Sequence, residues 1–60
     1  MAGPVEIAGD LLAGEGVDLS ELWENTALAR DCAQALAEAC GISYMAGAQL
    51  VELVADRYQP

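Results

Sequence analysis

Apolar residues in this chain recur at intervals of three and four, and no segment alternates at two, so helices can be built from it and sheets cannot. The longest stripe is Leu22, Ala29, Cys32, Ala33, Leu36 and Cys40, widened by Leu28 and Ala39 and closed by Gly41 as a C-cap. Asp18-Leu19-Ser20-Glu21 stands before it as a capping box with Asp in place of Ser or Thr. The pattern predicts one helix over 19–40. If that helix breaks, the place is Asn25-Thr26, near residue 25, because both side chains favour caps over helix interiors.

Two shorter segments follow the same rule. Gly3-Pro4 opens a helix over 4–13 with Val5, Ala8 and Leu12 on one face and Ile7 and Leu11 beside them. Gly14-Glu15-Gly16 supplies its stop. From Ser43 the residues Tyr44, Gly47, Leu50, Val51, Val54 and Tyr58 share a face, opposite Gln49, Glu52 and Asp56, and predict a helix over 43–58. Gly47 costs that helix about 1 kcal/mol relative to Ala, which fits either a close helix crossing or a tolerated glycine. The expected fold is all-α, a compact bundle of three short helices forming a single domain over 1–60.

Sixty residues leave room for one small core. Apolar residues make up 55% of the chain, too many for a disordered acidic tail, but twelve of them are Ala. A core of this size supplies roughly 3–5 kcal/mol of net stability. Repulsion among ten carboxylates subtracts from it, so salt or a partner should stabilise the fold.

Charge excludes more functions than any motif does. Ten Asp and Glu face two Arg, with no Lys and no His, for a formal charge of −8. Phosphate contact needs a basic stripe that this composition cannot supply, which argues against direct nucleic-acid binding and against an anionic membrane. Without His, the usual nucleophile–base sets are missing. Paired carboxylates could serve as acid and base only in a pocket that raises one pKa, and these acids fall on predicted outer faces, so no enzyme is expected. No cofactor is implied.

The first ten residues lack a basic region and a long apolar run, and the longest uncharged stretch, Ala39 to Val51, is too short to cross a bilayer. Cys32 and Cys40 on one helix lie about 12 Å apart along its axis, beyond disulfide reach. Both are expected to be buried free thiols, as suits a reducing, cytoplasmic setting. A spacing of eight with no His matches no zinc pattern, so no metal site is expected.

The candidate binding residues are carboxylates and one indole. On a continuous helix Glu24, Asp31 and Glu38 recur every seven residues and form a stripe spaced about 10.5 Å. Glu6, Asp10 and Glu21 make a second patch. Trp23, flanked by Glu21 and Glu24, falls off the apolar stripe. Either the first helix covers it as core, or it is an exposed anchor of the kind enriched at interface hot spots. Tyr44 and Tyr58 are expected to pack through their rings with hydroxyls at the surface, and Arg57 to favour the C-terminal end of its own helix.

Leu36-Ala37-Glu38-Ala39-Cys40-Gly41-Ile42-Ser43, with Ala37 and Gly41 four apart, resembles the first helix and turn of a helix-turn-helix unit. In that family the next helix enters the major groove with polar and basic side chains near its start. Here those positions hold Tyr44, Met45, Ala46, Gly47 and Ala48, which departs from the family at the contacting residues. In size, charge and absence of Lys the chain is similar to small acidic phage-encoded inhibitors, anti-CRISPR proteins in particular. Many of those block a basic DNA-binding or PAM-reading surface. That likeness implies a non-enzymatic inhibitor, a monomer or simple dimer, that mimics nucleic acid on an Arg/Lys-rich groove of a partner protein. The competing expectation is a small structural or adaptor subunit of a phage particle or other assembly, completing its core through the apolar side of 43–58.

Overall fold

In the computed structural model, which describes residues 2–59, the chain forms α1 (Pro4–Gly14), a single 3-10 turn (Leu19–Glu21), α2 (Thr26–Cys40) and α3 (Tyr44–Tyr58). The fold is all-α and its described residues contain no strand. Each boundary has a local cause. Pro4 sits in the first turn of α1, where its missing N–H costs nothing. At the other end Gly16 takes a φ of 85°, which turns the chain so that the Val17 amide donates to the Leu12 carbonyl at 3.1 Å. Gly41, at φ 67°, ends α2 in the same way, with Ile42 N–H donating to Ala37 O at 3.1 Å. Ser43 then caps α3, its Oγ accepting from Ala46 N–H.

The segment read as one helix over 19–40 is broken where Asn25 stands. Asn25 is extended, at φ −104° and ψ 92°, and its Oδ1 accepts from Leu28 N–H at 3.1 Å, so it begins α2 as an N-cap. Asp18 does not start a long helix either. Its Oδ1 accepts from both the amide and the hydroxyl of Ser20, which closes the 3-10 turn alone. The break lets the chain swing Leu22 inward, where it is buried.

Nine residues form the core: Ala8, Leu12, Leu22, Cys32, Ala33, Leu36, Val51, Val54 and Ala55. α2 and α3 are the central pair, and α1 lies mainly against α3. The crossing of α2 and α3 depends on Gly47. A Cβ placed there would overlap the Ala33 carbonyl oxygen and stand 3.3 Å from its carbonyl carbon, so the two backbones are in direct contact. Of the two readings of Gly47, the close crossing is the one found.

α1 buries a narrower face than its sequence suggests. Ala8, Gly9 and Leu12 point inward and Val5 is half-buried, but Ile7 and Leu11 are exposed. α3 provides most of the cover for α1, with smaller shares from α2 and the 3-10 turn, and the row of Ile7 and Leu11 stays exposed. Gly9 is buried with space to spare, since a Cβ there would meet Leu19 Cδ1 and Val54 Cγ1 at 3.9 Å, ordinary contact distance. Gly9→Ala is therefore expected to stabilise the protein by about 0.5–1 kcal/mol, through helix propensity and reduced freedom of the unfolded chain. A rise of a few degrees in Tm checks it.

Candidate protein-binding surface

All ten carboxylates are exposed, and among the described residues no polar or charged side chain is buried. One ion pair is present among those residues, Arg57 Nη1 to Glu6 Oε1 at 3.7 Å, with both side chains more than half exposed. Arg57 thus lies in the last turn of its helix, as expected, but reaches across to α1 rather than serving its own helix end alone. Such a pair is worth no more than about 1 kcal/mol. Nine of the ten acids remain without a cation inside the described chain.

The acidic stripe is shorter than a continuous helix would make it. Asp31 and Glu38 keep their seven-residue spacing on the outer side of α2, about 10.5 Å apart. Glu24 is not in that register, because it lies in the turn before the Asn25 cap. It belongs instead with Glu21 and Trp23, all within four residues of chain. The second patch divides as well. Glu6 and Asp10 lie one turn apart on α1, with Glu6 engaged by Arg57, whereas Glu21 sits in the 3-10 turn.

Trp23 is 50% exposed. The reading that made it core under the first helix is incorrect, because the break at Asn25 places it beside α3. There it lines an open groove of about 510 Å³ with Thr26, Glu52, Leu53, Asp56 and Gln59. A second opening, of about 250 Å³, lies along the same seam and is bordered by Arg30, Tyr44, Met45 and Gln49. Met45 is the most exposed of the large apolar residues, at 72%, and Tyr44 and Tyr58 are half-exposed, consistent with rings packed on one side. Glu52, Leu53 and Asp56 did not stand out in the sequence. Leu53 carried the available signal, as a large apolar residue on the face opposite the α3 stripe.

The two cysteines differ. Cys32 is buried and free, and burial, followed by the nearby Asp31 charge, pushes its thiol pKa up. Cys40 is free but exposed, contrary to expectation, because the last turn of α2 runs beyond the core that ends at Leu36. One thiol per chain should therefore react rapidly with a disulfide reagent at neutral pH, and the second only after unfolding. The raised Cys32 pKa also has a sign for stability. The folded state keeps this proton while the unfolded thiol loses it above about pH 8.5, so stability falls as pH rises past that value. Urea melts of native protein and Cys32→Ala between pH 7 and 10 should show the alkaline loss in the native protein alone.

Among the described residues no three His, Cys, Asp or Glu side chains are grouped to hold a metal ion, and no helix is long and apolar enough to cross a membrane. In comparisons with known proteins, the chain matches no family model, no curated protein and no solved structure.

Proposed function

We propose that this protein is a non-enzymatic, cytoplasmic inhibitor that binds another protein, placing a carboxylate-rich surface on a basic groove that otherwise holds nucleic acid. The observation that supports this reading is the exposure of all ten carboxylates with one ion pair among the described residues. A surface evolved only for solubility mixes both signs. One without Lys presents a nearly unbroken negative field, which raises association rate and specificity toward a basic partner and repels nucleic acid itself. Among the unpaired carboxylates, Asp31 and Glu38 on α2, Glu21 and Glu24 around Trp23, and Asp10 on α1 are the candidates to take part, with Glu6 exchanging its contact to Arg57. In type, this is the small acidic phage-encoded inhibitor, anti-CRISPR proteins included.

The test compares native protein with the variant Glu24→Lys, Asp31→Lys, Glu38→Lys. Each exchange adds two charges, so the formal charge moves from −8 to −2. Lys matches Glu as a helix former, and circular dichroism should be unchanged. A partner retained by immobilised native protein should be lost from the variant. It should be competed away by DNA or RNA, and bound less tightly as salt rises, because screening shortens to about 8 Å at physiological ionic strength. Equal affinity of the two proteins with a flat salt response would show the carboxylates to be solvated only.

The adaptor-subunit reading draws support from one observation, the large apolar side chains left exposed on α3. Light scattering separates the two. A soluble monomer or simple dimer is expected for the inhibitor, and progressive aggregation for an assembly component.

A further inference from the structure

The two openings along the α2–α3 seam share Thr26, Ala29, Val51 and Glu52, so they adjoin end to end and together make a groove along the seam. Trp23 and Leu53 stand at one end, Tyr44 and Met45 at the other. Ala29, Ala33 and Ala48 line it between them, and such short side chains leave room for larger ones from outside. The fifteen residues of α3 run about 22 Å along it. Glu52 and Asp56, one turn apart, give the α3 rim a negative edge, while Arg30 stands across from them on α2, so carboxylates outnumber the cation by two to one along the groove.

We propose that this groove is the docking site for an amphipathic α-helix of a partner protein, apolar on one face and bearing Lys and Arg on its flanks. The proposal rests on the reading that the partner is basic and says where, and with what element, that partner is held. Charge complementarity selects the occupant. A second copy would bring another −8 against a chain of the same sign, and an anionic lipid surface or nucleic acid would meet the same repulsion. The walls select the shape. Both are helices whose interior backbone groups are already paired, so they offer side chains only, which is how a groove receives a helix rather than a strand. A helix of four turns matches the length. Its anchors at i, i+4, i+7 and i+11 would span from Trp23, a residue type favoured at hot spots, to Met45, whose unbranched chain adapts to its neighbour. The groove is separate from the outer stripe of α2, because Asp31 lies on the other flank of that helix with Leu28, Cys32 and Ala35.

The experiment is a selection on the full chain from a displayed library of eighteen-residue amphipathic helices, with flanking positions randomised among Lys, Arg, Gln, Asp and Glu. Selected helices should be enriched in Lys and Arg. Synthesised, the best of them should shift the emission of Trp23, the only Trp, to shorter wavelength and move the amide resonances of Trp23, Met45, Glu52 and Asp56. Trp23→Ala should weaken binding at least tenfold. Glu52→Lys with Asp56→Lys should do the same and flatten the salt dependence. All three side chains are exposed, so folding is checked by circular dichroism. If Trp23→Ala does not fold, Met45→Glu tests the opposite end with the same expected loss. Enrichment of acidic or uncharged helices overturns the proposal. Basic helices that move Asp31 and Glu38 but leave the seam undisturbed also overturn it, while the acidic-surface function stands. Failure to recover any basic helix at low salt removes both.

Discussion

Gly47→Ala should destabilise the protein by about 2 kcal/mol or more, although alanine is the better helix former by about 1 kcal/mol. The two effects oppose each other, and the obstacle decides between them. The added methyl meets the backbone of Ala33, which has no rotamer to change, so α2 and α3 must separate along their length. Separation loosens the contacts of Ala33, Val51 and Val54 together. Against a total of roughly 3–5 kcal/mol, that loss should lower the urea midpoint by about half without changing the slope. Gly9→Ala, measured in the same way, should move the midpoint upward. Two Gly-to-Ala exchanges of opposite sign in one small domain separate sterics from helix propensity. Destabilisation by both would mean that the inner face of α1 is as tightly packed as the central crossing.

Leu36→Ala is expected to leave most chains unfolded at room temperature. Leu36 is 1% exposed and lies in the core shared by all three helices. Removing its side chain costs about 2–5 kcal/mol in transfer and cavity terms, as much as the whole domain has. Leu53→Ala removes the same atoms from a half-exposed site and should cost less than about 1 kcal/mol. The far-ultraviolet dichroism of the Leu36 variant should recover in moderate salt, which relieves carboxylate repulsion. A Leu36 variant as stable as the Leu53 variant would contradict the core described above.

The helices were legible because their ends are chemical. Pro4, Gly16, Asn25, Gly41 and Ser43 each do locally what a helix end requires, and no distant residue is needed to read them. Residues 22–24 were not legible in the same way. They continue the helical spacing and leave the helix because Leu22 is buried against the folded core, a tertiary gain invisible in a periodic pattern. Trp23 follows from that swing, which decides for the exposed one of its two readings. The acids were correctly expected to be exposed, but their alignment was not, since one cap removed Glu24 from the register of Asp31 and Glu38. Ile7, Leu11 and Cys40 show the converse limit, as apolar residues on helices whose neighbours do not reach them. The groove could not be read at all, because it exists only through the angle at which α2 crosses α3.

The order in which the helices are made differs from the order in which they find partners. α2 and α3 are neighbours in the chain, joined through Gly41-Ile42-Ser43, and their contacts close a short loop at little entropic cost. α1 packs mainly on α3, the third helix in chain order, and so waits with Ala8 and Leu12 unburied until α3 is available. Folding should therefore be polarised. Mutations at the α2–α3 crossing should slow the folding rate, whereas mutations in α1 should chiefly speed unfolding. Glu6 and Asp10 lie exposed on that first helix, so during the interval like charges repel between the unpaired α1 segments of separate copies.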